Sequence, residues 1–344
     1  MNMPTEFSRN KQAGFTLIEL MVALVLGLLV VGAASALFLS NRRTYGTTTA
    51  VNRIQENGRA AFEFLSRDLR VAGSNPCSAN IVNMLVNRMS PQWAAWNLGL
   101  SGTEGGATPD SVTVYYTDRI ADPANPTRSD LLISSHADPL ADVQVGSSGG
   151  IAVGDVLMAC TPQESVIFAA TSIQPTAIKH DVGTLNAMTA FQTDQTKVLS
   201  GAGTVGYCFT KPATTNVNCL DVGDGPAMLV RPISVSWAIA ANTNGGKSLY
   251  RAVSKNGVQI SNDEIAAGVN DMQLTYLLSG ATSFVDANAV AGQWGTVDAI
   301  KLVLTLQPEA GALTTGDRKG TGGQLLTRTV SSTISIRNRK DIRG

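Results

Sequence analysis

One carboxylate stands where a carboxylate is costly. Glu19 follows Phe15-Thr16-Leu17-Ile18 and precedes LMVALVLGLLVVGAASALFL, twenty residues (20–39) without a charge. An ionised group in such a block costs up to ~3 kcal/mol near a bilayer centre and less near its edge. Its chemistry is therefore that of a charge that needs a partner. Other candidates carry familiar spacings. Gly146-Ser147-Ser148-Gly149-Gly150 has the nucleophile-elbow spacing, with Asp155 and His180 after it. That motif needs a strand, a sharp turn and a helix, whereas Ile151-Ala152-Val153-Gly154 reads as a loop entering a strand, so a flexible glycine-serine loop is expected. Gly201-Ala202-Gly203-Thr204-Val205-Gly206, with Asp221 twenty residues after Gly201, has dinucleotide-site spacing. The motif works through a following helix N-terminus. Tyr207-Cys208-Phe209-Thr210 is a strand by composition, so a hairpin loop is expected. Asn262-Asp263-Glu264 and Asn270-Asp271 offer calcium oxygens without EF-hand spacing, and solvated turns are expected there. His136 and His180 are the only histidines and read as surface or hydrogen-bonded side chains. Neither a catalytic residue, a metal nor a cofactor follows from these residues.

The elements that position Glu19 are more informative. The run 20–39 spans about 30 Å as a helix, the thickness of a bilayer's hydrocarbon core. Arg9 and Lys11 precede it, which favours a cytoplasmic N-terminus. A simple anchor, a buried core helix and a cleaved secretory signal ending near Ala34-Ser35-Ala36 compete for this segment. The helical pattern does not stop at Leu39, however. Val51, Ile54, Gly58, Ala61, Phe62, Leu65 and Leu69 recur at spacings of three and four, an apolar stripe on one face. Glu63 and Arg67 form an i,i+4 pair on the opposite side, and punctuation arrives only at Ala72-Gly73-Ser74-Asn75-Pro76. A signal peptide would discard part of one continuous rod of about 58 residues, roughly 87 Å long.

Lys11-Gln12-Ala13-Gly14-Phe15-Thr16-Leu17-Ile18-Glu19-Leu20 resembles the type IV prepilin signature: a short basic leader ending in Gly, then Phe, then an apolar stretch with Glu as its fifth residue. The resemblance implies a leader at 1–14 and cleavage between Gly14 and Phe15 by a prepilin peptidase, with N-methylation of Phe15. It also implies a helix over 15–72, with 15–39 serving membrane and assembly and 40–72 amphipathic, and a β-rich periplasmic domain over 73–344. Glu19 is then the assembly residue, pairing with the N-terminus of an adjacent subunit. The implied fold is α+β, a pilin fold with the helix packed on a mainly antiparallel sheet.

Beyond Pro76 the residues agree with that plan. Runs rich in Val, Ile, Thr and Tyr fall at 111–117, 130–135, 155–160, 165–173, 228–239, 249–253, 272–278, 299–306 and 327–336, separated by turn residues. No second long amphipathic helix is evident, which disfavours a parallel βαβ sheet. One sheet region is expected, with or without a second β subdomain, and the Gly-rich stretches 102–107, 146–150 and 316–323 are expected to be exposed loops. Several segments are similar to PilW-type minor pilins. They are Gly154-Asp155-Val156-Leu157 with Cys160 and Val166-Ile167-Phe168, Ser248-Leu249-Tyr250-Arg251, the run 267–276, and the closing Arg328-Thr329-Val330 through Ile336-Arg337-Asn338-Arg339. That similarity implies a minor pilin that helps initiate a type IV pilus, in twitching motility and adhesion, and sits in the tip complex. Its partners would be other minor pilins, the major pilin, a tip adhesin and the inner-membrane assembly platform. It implies residence in the inner membrane before assembly and at the pilus tip afterwards. J-type pseudopilins of type II secretion share the leader and plan, and a membrane-tethered periplasmic enzyme is the remote alternative.

Four cysteines suit an oxidising compartment and allow three connectivities. Cys208 and Cys219 enclose ten residues, a length suited to stapling a hairpin, so Cys208–Cys219 with Cys77–Cys160 is the favoured pairing. The 344 residues carry 26 Lys+Arg against 26 Asp+Glu, a poor balance for nucleic-acid binding. The neutral sum is uneven along the chain. Residues 1–70 hold eight basic and five acidic side chains, 71–317 eleven and twenty, and 318–344 seven and one. If the last strand pairs beside the helix, its two basic regions meet and help select neighbouring subunits.

Overall fold

The structure, a computed structural model, describes residues 14, 16–75, 77, 81–96, 98–127, 129–187, 206–210, 219–220, 225–309 and 323–336. Helix α1 spans Leu17–Arg70, 54 residues. Its two halves are helical for different reasons. From Leu17 to Leu39 every large apolar side chain is exposed, and a helix that satisfies its own backbone is what a lipid solvent demands. Among the described residues α1 is the one helix long and apolar enough to cross a membrane. The second half is one-sided. It buries Gly46, Ala50, Ile54, Gly58, Ala61, Leu65 and Leu69, spacings of three and four that keep one stripe against the β domain. A Cβ on Gly58 would lie 3.3 Å from Leu306 Cδ2, so the missing side chain lets the helix approach the sheet closely.

The helix stops where the sequence punctuates it. Val71 N–H donates to Asp68 O at 3.2 Å and Ala72 N–H to Leu69 O at 3.3 Å. Gly73 then takes φ of 72°, a left-handed conformation that favours glycine. Its N–H donates to Tyr115 O at 2.8 Å, which seats the chain on the sheet.

The strands follow in chain order: β1 (Ile81–Asn83), β2 (Leu100–Thr103), β3 (Ser111–Arg119), β4 (Leu131–Ser135), β5 (Val143–Val145), β6 (Val156–Cys160), β7 (Ser165–Ala169), β8 (Ser172–Gln174) and β9 (Ala177–Lys179). Then come β10 (Gly206–Tyr207), β11 (Cys219–Leu220), β12 (Met228–Ala241), β13 (Lys247–Lys255), β14 (Val258–Ala267), β15 (Val269–Leu278), β16 (Val297–Leu306) and β17 (Arg328–Ser335). A short helix, α2 (Pro91–Trp96), precedes β2. All pairings are antiparallel except β1 with β7 and β10 with β11. The fold is therefore α+β and pilin-like.

Strand β12 is the spine. Its first residues, Met228–Val230, pair with β6 and its later ones, from Ile233, with β13 on the same flank; β4 and then β3 occupy the other flank. Arg231 and Pro232 fall between β6 and β13, where a proline's missing N–H removes no ladder bond on that flank. Three apolar cores form among the described residues, and the change of neighbour separates two of them. One joins the α1 stripe to Val112, Val114, Val235 and Trp237 and to the three-stranded sheet β15-β16-β17. A second lies among β4 to β9, around Leu131, Leu157, Phe168 and Leu229, and the strands around it are a β subdomain within the same continuous sheet. The third holds Trp93, Trp96, Met158 and Ile167. β17 packs beside α1, with Val330 Cγ2 3.7 Å from a Cβ built on Gly58, and the basic residues Arg337, Arg339 and Arg343 lie outside the described residues.

The helix is locked by a charge inside its own stripe. Asp68 is buried, and its Oδ2 accepts from Trp237 Nε1–H at 3.1 Å and from Arg251 Nε–H at 2.7 Å. Cutting the carboxylate away leaves an indole N–H and a guanidinium without their acceptor inside the core. Asp68→Ala is expected to cost about 2–4 kcal/mol in urea unfolding of the detergent-solubilised chain, whereas Glu63→Ala on the exposed face shifts stability by less than about 0.5 kcal/mol.

Candidate functional site

Gly14 is exposed at the entry to α1, and Phe15 lies outside the described residues. Thr16 is the N-cap. Its backbone N–H and its hydroxyl each donate to Glu19 Oε2 at 2.9 Å, while Glu19 N–H donates to Thr16 Oγ1 at 3.3 Å. This is a reciprocal capping box, and its T-x-x-E spacing was available in the sequence. Orphan amides at the helix start and the Glu19 carboxylate thus satisfy one another one turn from the Gly14–Phe15 bond. The carboxylate is exposed, and among the described residues only its Oε2 accepts a hydrogen bond.

The other candidates resolve differently. Ser148 lies in the loop after β5, as expected, but its side chain is buried, and its hydroxyl donates to Gln174 O at 2.6 Å and Pro175 O at 3.2 Å. The proton a nucleophile would surrender is thus spent on the backbone. Asp155 holds a junction instead of a histidine. It accepts from Lys255 Nζ at 2.9 Å, Asn256 Nδ2 at 3.0 Å and Ala152 N–H at 3.2 Å. Burial opposes its ionisation most, but these three donors together hold its pKa below the usual carboxylate value. Arg231 lies 3.7 Å away, and Asn256 Oδ1 accepts from Val156 N–H at 2.8 Å. The group sits where β12 changes neighbours and ties the β13–β14 turn to the second subdomain.

The glycine-rich and acidic motifs also need correction. Gly102 is inside β2, not in an exposed loop, because a Cβ there would strike Tyr276 Oη. Of the segment 201–206 only Gly206 is described, in β10, and Asp221 and 316–322 lie outside the described residues. Asn262-Asp263-Glu264 lies within β14 and Asn270-Asp271 within β15. These are strands, not turns. Periodicity missed β14 because its two faces are both exposed up to Glu264, so no alternation is required of it. Among the described residues no group of three or more His, Cys, Asp or Glu side chains is placed to hold a metal.

Cys77 is bonded to Cys160, with Cα atoms 5.5 Å apart, and Cys208 to Cys219, at 5.3 Å. The first bond ties the segment after α1 to β6. The second closes a segment whose Phe209 N–H donates to His136 Nδ1 at 3.3 Å. His136 and His180 are buried, with ring centroids 5.8 Å apart, and His180 Nε2 lies 2.9 Å from Ala141 O. Phe209 N–H requires an unprotonated Nδ1 on His136, and Ala141 O requires a proton on Nε2 of His180. Burial, and then the neighbouring His180, pushes His136 down to about 3, while burial lowers His180 against the pull of Asp142 and Asp181.

A family description, "Prokaryotic N-terminal methylation motif", matches residues 9–35. Comparison with curated proteins and with solved structures gives no match. The motif and the apolar helix that carries it are similar to those of type IV pilin-like proteins, and a C-terminal β domain follows the helix.

Both histidines titrate below the unfolded value of about 6.5, so the folded state refuses protons that the unfolded state accepts. Stability is at its full value above that pH and falls as acid is added, down toward pH ~3 for His136. Urea unfolding below about pH 6 is expected to lose up to ~1.4 kcal/mol per pH unit for each ring. His136→Phe should roughly halve that slope.

Proposed function

We propose that this chain is a minor pilin of the PilW type, which helps initiate a type IV pilus and forms part of its tip complex with other minor pilins. The observation that carries the reading is one uninterrupted helix: the methylation motif, a charge-free apolar run interrupted by Glu19 alone, and a half-buried stripe ending on a β domain. Prepilin peptidase cuts after Gly14 and the new amine of Phe15 is methylated. The apolar half of α1 holds the protein in the inner membrane with its β domain in the periplasm. Assembly moves that half from lipid into the filament core, where apolar packing replaces lipid contacts.

Glu19 gives this transfer its register. Within its own chain the carboxylate is held by Thr16, which lowers the cost of its residence in lipid. In the filament it receives the cationic amine of a neighbouring Phe15, a charge pair that is favourable only at the correct axial offset. The major pilin below, a tip adhesin above and the assembly platform in the membrane are the remaining partners. The same motif serves J-type pseudopilins, and the two roles separate by location: copurification with sheared pili marks the pilin, loss of type II secretion on deletion marks the pseudopilin.

Glu19→Ala is expected to be processed at Gly14 as wild type yet to drop from sheared pili by about tenfold or more, a loss of ~1.4 kcal/mol or more per subunit added. Normal incorporation, read by immunoblot of the sheared fraction, overturns the role of Glu19. The periplasmic location predicts oxidised cysteines, and Cα separations near 5.5 Å support the two pairings. Non-reducing peptide mapping should return Cys77–Cys160 and Cys208–Cys219, and free thiols throughout would refute an oxidising destination.

A further inference from the structure

Among the described residues strand β14 is paired on one side only. Its register partner is β13, and no described strand lies on its other side. Helix α1 covers one end, where Asn57 Nδ2 donates to Ala267 O at 2.9 Å. From Val258 to Glu264 the strand is open to solvent, with Val258 65% and Ile260 63% exposed. Natural sheets blunt such edges with short length, lysine and other charges, proline or bulges; β14 runs for ten residues without lysine or proline, and its protection is two acids, Asp263 and Glu264, and bulges at Ile260 and Ile265. Its register against β13 is regular from Ser261 to Glu264, between the two bulges. Asp263 and Glu264 form no ion pair among the described residues.

The edge is also held rigid at both ends. Asn256 pins the turn to Asp155 and Val156, and Asn57 pins the base to the helix. A preorganised strand loses little conformational freedom on pairing. We propose that the outer edge of β14 binds an extended strand of a partner polypeptide by sheet augmentation, with apolar residues beside Val258 and Ile260 and basic residues beside Asp263 and Glu264. The backbone ladder selects an extended segment rather than a helix, and the acid pair selects its charge. The proposal goes beyond the assembly role above and does not depend on it, since the edge recruits a strand whether or not α1 enters a filament.

The test uses the full chain in detergent and a synthetic peptide of alternating Val and Thr ending in two lysines. Amide hydrogen exchange should show β14 protected on binding, with β16 unchanged as the control for folding. A peptide ending in two glutamates should bind about tenfold more weakly, the size expected for reversing two cross-strand charge pairs. In the Asp263→Lys, Glu264→Lys double variant the preference should reverse. Binding without β14 protection, or equal affinity for both peptides in both chains, overturns the proposal. So does protection of β14 that grows with protein concentration and no peptide, because the occupant is then a second copy.

Discussion

A carboxylate buried against an indole and a guanidinium fixes the C-terminal end of the long helix to the β domain. Asp68 sits among Leu65 and Leu69 on the face that packs against β12 and β13, and it receives Trp237 and Arg251. Apolar packing alone leaves a helix free to slide or roll along a sheet by small amounts. A buried acid with two directional donors has one position in which it is satisfied, so it fixes axial register as well as affinity. The close approach at Gly58 and the bond from Asn57 to Ala267 fit that same register.

The second subdomain is fixed to the first by a similar device. Asp155, Lys255, Asn256 and Arg231 gather where β12 exchanges β6 for β13. A spine strand that changes partners has a weak point in its ladder, and charged hydrogen bonds cross it there. Cys77–Cys160 crosses the same boundary by a covalent route, linking the chain just after α1 to β6. Displacement of the helix is therefore carried into both subdomains.

Much of this was legible in residue order. The spacings from Ile54 to Leu69 marked the buried stripe, the glycine at 73 marked its end, and runs of Val, Ile and Thr marked β3, β6, β12, β15, β16 and β17. These signals survive because each reflects a local period or a backbone need. The Thr16 capping box was equally local and was overlooked. By contrast, the run at 165–173 and the expected turn at Asn262-Asp263-Glu264 misled for a physical reason. The first bends at Ala170–Thr171 into β7 and β8, and the second lies in the part of β14 that is mostly exposed, so composition loses its alternation.

The sequence by itself determined the anchor, the position of Glu19 and the single-faced helix beyond it, since lipid and core each impose a periodicity that one strand of text displays. Only the tertiary structure decided what the scattered polar residues do. Asp68, Asp155, Ser148 and the two histidines have no local pattern, because most of their partners are distant in sequence, from 26 residues for Ser148 to 183 for Asp68. Burial makes such partners obligatory, and only the folded chain shows which ones are met. That is why Ser148, read from spacing as a loop serine, is a buried donor to the backbone, and why Asp155 is a structural junction.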